Sequence, residues 1–256
     1  MFRPKIIGFV CNWCLPRGVE IPSPREMAGY PKMHLIQVMC VGGVDPVVVV
    51  DVLLNGADGV LLVGCPAPDC HHVSGNVQAE NKFKSLRKLL SLTGLEPERL
   101  RLEWAYPTEI ESFSAIVDDF RSQVIKLGPS PVAGERLDAT ILSNLLAAKN
   151  AAANFRLRVL TGREVELTEA ANAYGEFTSQ GEFNFLLDSI ISEEFSRHKI
   201  CLLTRQKPRS VKEIAATMKV QPAMILRQIV EMCRKRMIAL DRVEGTTPLY
   251  KELEGQ

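Results

Sequence analysis

The sequence predicts an α/β fold built on an open parallel sheet, followed by an all-α region that ends in a winged-helix-like module. Three observations carry this expectation. Up to about residue 130, four short apolar runs alternate with stretches of helical periodicity. A Pro/Gly/Ser-rich stretch, LGPSPVAGE, then interrupts the pattern. Beyond it the periodicity is helical until two strand-like words close the chain, which places domains at residues 1–130 and 131–256.

In order, KIIGFV is ended by CNWC, HLIQVM by Cys40-Val41-Gly42-Gly43, and GVLLVG by Cys65, while the fourth run, LRLEWAY, carries no cysteine. The intervening DPVVVVDVLLNG has high strand propensity. Helix is still the better reading there, because Asp45 suits an N-cap, Pro46 a first helical position and Asn55-Gly56 a stop. Phe83, Leu86 and Leu90 with a Gly94 stop predict the next helix, and Phe113, Ile116, Val117, Phe120 and Val124 share one face of another. Strands alternating with amphipathic helices imply a parallel sheet with covered faces.

Right-handed crossovers and a flavodoxin-like order of 2-1-3-4 place the first strand between the second and third. Their carboxyl ends then lie side by side, about 5 Å apart per neighbour. Cys11, Cys40 and Cys65 stand at those three ends, with Cys14 and Cys70 reaching in from the adjoining loops. The five thiols therefore gather at the topological switch point, where open α/β sheets bind ligands.

In the second half, DATILSNLLAAKNAAANFRLRVLTG reads as one long helix with Ile141, Leu145, Ala148, Ala152 and Phe155 on its apolar face. EFNFLLDSIISEEFSRHKICLLT gives another, on Phe183, Leu186, Leu187, Ile190 and Ile191, and VELTEAANAYGEFTSQG between them is ambiguous between short helix and loop. Ser210 then caps a short helix, KVQP turns, a second helix runs to Met237, and ALDRV pairs with PLYKEL around Glu244-Gly245-Thr246 as a wing.

A chain of 256 residues, 46% hydrophobic and 24% charged, buries a sizeable core. Its apolar runs are all too short to span a bilayer. The N-terminal run is too brief for a signal-peptide core, which predicts a cytoplasmic protein with no membrane partner. Net charge is only +1, but from Arg197 onward there are 13 Lys/Arg against 6 Asp/Glu, so the two regions are expected to meet different partners. Were the last module to bind DNA, its second helix would present Arg227, Gln228, Arg234, Lys235 and Arg236 to the major groove. The basic residues are few, and a protein-docking module is the preferred reading.

Seven cysteines in a reducing compartment are not expected to pair as disulfides. Soft thiolates select zinc, copper(I) or iron–sulfur clusters. Zinc ribbons usually show two CxxC pairs, whereas here one CxxC, a lone Cys and a CxxxxC are spread over three strand ends. A dithiol redox site at CNWC would leave three cysteines unexplained, and plain core filling suits isolated cysteines better than five converging ones. Cys201 and Cys233, flanked by apolar residues and lacking a paired spacing, are read as core fillers. There is no GxGxxG after the first strand and no GxxxxGK[ST], so neither a dinucleotide nor a P-loop site is indicated.

The words CNWC, VMCVGGVDP, NGADGVLLVGC, PDCHHVSGN and RLRLEWAY, in that order, resemble the delta subunit of the methyl-viologen-reducing hydrogenase over residues 4–131. That resemblance implies an electron-transfer subunit holding a [2Fe–2S] cluster on four of the five cysteines Cys11, Cys14, Cys40, Cys65 and Cys70. It further implies electron relay, without catalysis of its own, between a partner oxidoreductase and the flavin-bearing, HdrA-like subunit of a bifurcating heterodisulfide-reductase-type complex. The partner would be a hydrogenase, a formate dehydrogenase, a folate-dependent reductase or a benzoyl-CoA-reductase-type assembly. His71 and His72 are read chiefly as loop residues near a docking surface, and Trp13 as a shield or packing residue. Competing readings are a redox-sensing winged-helix regulator and a zinc-stabilised scaffold.

Overall fold

The computed structural model describes residues 2–14, 33–106, 108, 110–133 and 137–253. Four parallel strands, β1 (Ile6–Cys11), β2 (His34–Val38), β3 (Gly59–Gly64) and β4 (Leu100–Trp104), form a sheet of order β2-β1-β3-β4. This is the expected order. Central β3 is buried along its whole length, as a strand covered on both faces should be, while edge strand β2 leaves Ile36 exposed.

Helix α1 (Pro46–Leu54) starts where the capping chemistry places it: the Asp45 carboxylate accepts the Val47 N–H at 2.9 Å, and Pro46 occupies the first turn. Val49 and Val50 are buried in the core while Val48 faces solvent, so side-chain packing and a good cap override the strand propensity of the valine run. Helix α2 (Gly75–Ser91) joins α1 on one sheet face, where Val50, Leu53, Leu86 and Leu90 meet Phe9, Val60 and Leu62. Helix α3 (Ile110–Leu127) covers the other face, setting Phe113, Phe120 and Val124 against Ile6, Val10, Leu61 and Val63. Truncating any one of these leucines to alanine costs about 2–5 kcal/mol.

The LGPSP stretch is docked rather than free. Asp58, at the start of β3, accepts the Ser130 N–H at 2.7 Å and the Lys5 N–H at 2.7 Å. Buried Arg99 donates to the Asp58 carbonyl at 2.9 Å and the Gly128 carbonyl at 3.0 Å.

The long helix expected after it is two: α4 (Ala139–Ala153) and α5 (Phe155–Gly162). Asn154 makes the break, with extended backbone and a side chain that accepts the Arg156 N–H at 2.9 Å, capping α5. Phe155 consequently points to solvent instead of lying on the apolar face. A short α6 (Glu164–Glu169) precedes α7 (Gln180–Gln206), which buries Phe183, Leu187, Ile190 and Ile191 but exposes Leu186. The core is continuous with the first half, since Leu89 of α2 packs with Ala148, Ala152, Leu157 and Leu187.

The chain closes with α8 (Val211–Met218), capped reciprocally by Ser210 and Glu213, then α9 (Pro222–Arg234) and a hairpin of β5 (Ile238–Glu244) and β6 (Thr247–Glu252). Helix α9 stops short of Met237, and Gly245 at φ 60° makes the hairpin turn. Cys201 and Cys233 belong to the apolar cluster that joins α7 to these elements. Gln228 accepts a hydrogen bond from Arg197 of α7 at 3.1 Å, and Arg234 pairs with Glu231, so two of the five candidate DNA-facing residues are engaged within the protein. No helix among the described residues is long and apolar enough to cross a membrane.

Candidate metal centre

Strands β1 and β3 are parallel neighbours paired as far as Val10 and Val63, so Cys11 at the end of β1 and Cys65 just past β3 leave the sheet at the same end. Their sulfurs are 3.6 Å apart. Cys14, returned by a turn in which its N–H donates to the Cys11 carbonyl, places its Sγ 3.1 Å from that of Cys65. All three are buried, and their sulfurs lie within 4.8 Å of one another.

Cys40 and Cys70 converge on the same end from the other side. Cys40 ends the β2 segment and precedes a single 3₁₀ turn, Val41–Gly43. Cys70 begins the turn into α2, in which Val73 adopts φ 61°, a left-handed conformation unfavourable for a β-branched residue. The two sulfurs flank Gly75: a Cβ there would lie 2.4 Å from Cys40 Sγ and 3.4 Å from Cys70 Sγ. Cys70 also packs against the apolar cluster containing Cys11, Cys14 and Cys65. All five cysteines singled out in the sequence thus sit at one end of the sheet, three tightly grouped and two around Gly75.

Three close backbone approaches make room. Besides Gly75, Gly42 has no space for a side chain because the Gly75 carbonyl oxygen would be 2.2 Å from its Cβ, and Gly64 is crowded by Trp104 and Val41. Gly43, in the same turn, has open space where a Cβ would stand.

The thiols are not electrostatically alike. The Cys11 thiol is pulled down, first by its hydrogen bond with Cys14 and against the cost of burial, while Cys14 is pushed up by that same hydrogen bond and by burial. Burial raises Cys40 and Cys65, and backbone N–H donors oppose it: Gly42 and Gly43 at Cys40, His71 at Cys65. The Trp13 N–H acts in the same sense at Cys11. Peptide N–H groups near sulfur, together with the N-terminal end of α2 beside Cys40 and Cys70, act toward thiolate against the burial that raises Cys40 and Cys65.

Soft donors in this number fit an iron–sulfur cluster, which takes four thiolates and is tuned by hydrogen bonds to sulfur. The three-sulfur group alone also fits a tetrahedral zinc, whose ligands at about 2.3 Å bring sulfurs under 4 Å apart. Neither histidine is directed into the sulfur group by its contacts. His71 stacks on Trp13, ring centroids 3.5 Å apart, and His72 Nε2 lies 3.2 Å from the Met39 carbonyl oxygen. Trp13, Met39 and Val73 are exposed around the site.

Lys82 escaped the sequence reading. Its Nζ donates to the Gly42 carbonyl at 2.6 Å. The available signal was its place on the apolar stripe of α2 with Leu86 and Leu89, where a lysine needs a reason.

Comparison with known proteins agrees with the geometry. Residues 6–128 match the family model described as methyl-viologen-reducing hydrogenase, delta subunit. The iron-sulfur subunit of the F420-non-reducing hydrogenase of Archaeoglobus profundus is 39% identical over 128 residues, covering 50% of this chain and 93% of that protein. Its counterpart in the vhc F420-non-reducing hydrogenase of Methanococcus voltae is 34% identical over 50% of this chain and 89% of its own length. A third relative, from the ferredoxin/F420H2-dependent CoB-CoM heterodisulfide reductase of Methanosarcina acetivorans, is 33% identical over 49% of this chain but only 16% of that larger protein.

Proposed function

The chain belongs to the methyl-viologen-reducing hydrogenase delta-subunit family, and from that premise we propose that residues 1–130 form a [2Fe–2S] electron-transfer domain. The observation that carries the reading is the convergence of Cys11, Cys14, Cys40, Cys65 and Cys70 at one end of the sheet, three with sulfurs within 4.8 Å of one another and two around Gly75. A bound cluster would supply one-electron storage. The protein's part is to hold four thiolates, exclude water with Trp13 and the sheet, and leave an exposed apolar rim across which electrons reach a partner. Two cysteines on each iron accounts for the arrangement best: Cys40 and Cys70 as one pair, two of Cys11, Cys14 and Cys65 as the other, with the fifth thiol spare.

The relatives' names, hydrogenase and heterodisulfide reductase subunits, support oxidoreductase partners, and the finer assignment follows the family resemblance. An HdrA-like flavoprotein on one side and a partner oxidoreductase on the other make the chain a cytoplasmic relay within a bifurcating complex. Residues 131–256 serve as the docking unit for that oxidoreductase, and α8, α9 and the hairpin form a winged-helix-like module. Gln228 turned toward Arg197 favours docking over base reading.

The test is anaerobic purification of the full chain followed by visible and EPR spectra with iron, sulfide and zinc analysis. About two irons and two sulfides per chain with an S = ½ signal on dithionite reduction are expected. A colourless chain loaded with zinc would replace the relay with a scaffold.

A further inference from the structure

Lys82 stands two turns along α2 from Gly75, on the same face, and reaches across to the turn that follows Cys40. The carbonyl it binds at 2.6 Å, that of Gly42, belongs to the same peptide unit as the Gly43 N–H, which donates to the Cys40 carbonyl at 2.9 Å and closes the turn that carries the Cys40 thiol. An ammonium on the oxygen of a peptide polarises its N–H and strengthens the bond that N–H makes. Lys82 therefore holds the Cys40 turn through this peptide and brings its own charge beside Cys40.

The helical region supplies the other half of the arrangement. Asp45, at the end of the same turn, gives one carboxylate oxygen to the cap of α1 and the other to Arg158 of α5 at 2.8 Å. The Lys82 ammonium senses Asp45, Arg158 and Cys40 together. Burial lowers its affinity for the proton, and the Asp45 carboxylate opposes that loss. Lys82 and Arg158 also line one small cleft of about 80 Å³ between α2 and α5. Arg158 lies beyond residue 128, where the family match ends.

We propose that Lys82 and the Asp45–Arg158 pair set the electrostatic field at the Cys40 end of the site, so that the helical region tunes the reduction potential of the cluster. The inference rests on the cluster assignment made above. A cation beside thiolate-held iron stabilises the reduced, more negative state and raises the potential, and an uncompensated carboxylate lowers it. Lys82 is a positioning residue in this scheme, since it touches the turn and not the iron.

The experiment is a redox titration of the full chain, followed by EPR at low ionic strength because Asp45 and Arg158 are partly exposed. Lys82→Met and Arg158→Met should shift the potential negative. Asp45→Asn, which keeps a competent N-cap, should shift it positive, and Lys82→Arg should restore the native value. Opposite signs from neighbouring neutral substitutions are what a field produces and a packing defect does not. Should Lys82→Met fail to load iron, the contrast between Asp45→Asn and Arg158→Met decides alone. Shifts of one sign throughout, or none, in variants that load normally would overturn the inference while leaving the cluster intact. A wild-type chain without iron would instead overturn the assignment on which it stands.

Discussion

Gly42 and Gly75 cross so closely that a Cβ on Gly42 would sit 2.2 Å from the Gly75 carbonyl oxygen, which is backbone and cannot swing aside. The crossing holds the Cys40 turn against the start of α2, and it decides where two of the five sulfurs stand. Gly42→Ala should therefore separate the two segments, destabilising the fold by about 1–3 kcal/mol and lowering iron occupancy more than it lowers yield. Gly43→Ala, with open space around it, is the control and should load normally. Iron per chain and urea unfolding midpoints, measured on both variants, check this.

The grouping of the thiols makes a prediction about which of them can be lost. Cys40→Ser and Cys70→Ser each remove a member of the outlying pair and should abolish the reduced S = ½ signal. Among Cys11, Cys14 and Cys65, one serine variant should keep the signal and about two irons, because a [2Fe–2S] cluster would need only four thiolates and, with Cys40 and Cys70, two of these three would suffice. Cys201→Ser should leave iron content unchanged, its thiol being pushed up to about 12 by burial and lying in the core shared by α7, α8 and α9.

Much of this was legible in the sequence for definite physical reasons. The order β2-β1-β3-β4 follows from alternating apolar runs and the handedness of crossovers, and once the order is known, Cys11, Cys40 and Cys65 must share an edge. Local chemistry also read correctly where it was strong, as at Asp45-Pro46 before α1 and Ser210 before α8. What failed to read was tertiary. Asn154 looks like an ordinary polar residue in a helical stretch until its side chain caps α5, and LGPSP looks like a tether until Asp58 and Arg99 bind it. The contact from Lys82 to Gly42 joins residues 40 apart and leaves only one misplaced charge on an apolar stripe as its trace.

Arg99 links β3 to the end of α3 by donating to the Asp58 and Gly128 carbonyls, and it is almost wholly buried. Its neighbour Glu96 pairs with it at 2.8 Å. Arg99→Met would fill the space and strand both carbonyls without a donor, at about 1–3 kcal/mol each. The expected result is a loss on the order of 3 kcal/mol in chemical denaturation, with residues 127–133 gaining hydrogen exchange. A loss under about 0.5 kcal/mol would mean that water replaces the guanidinium there.

His198 gives the helical region an acid-sensitive point. It lies in α7, its Nε2 is buried without a partner, and burial lowers its affinity for a proton. The carboxylates of Glu194 and Glu252 oppose that shift, and Arg197 adds to it. In the unfolded chain the imidazole titrates near about 6.5, so below that pH the unfolded state binds more protons than the folded one. The contribution of neutral His198 is then complete above about pH 6.5 and is lost as the pH falls through that value toward the depressed folded pKa. Thermal unfolding from about pH 8 to about pH 5 should show a drop in Tm that is smaller in His198→Gln, the difference between the two proteins isolating this residue from the carboxylates that titrate at the lower end. Parallel curves for the two proteins would show that protonated His198 is accommodated by Glu194 and Glu252 in the folded state.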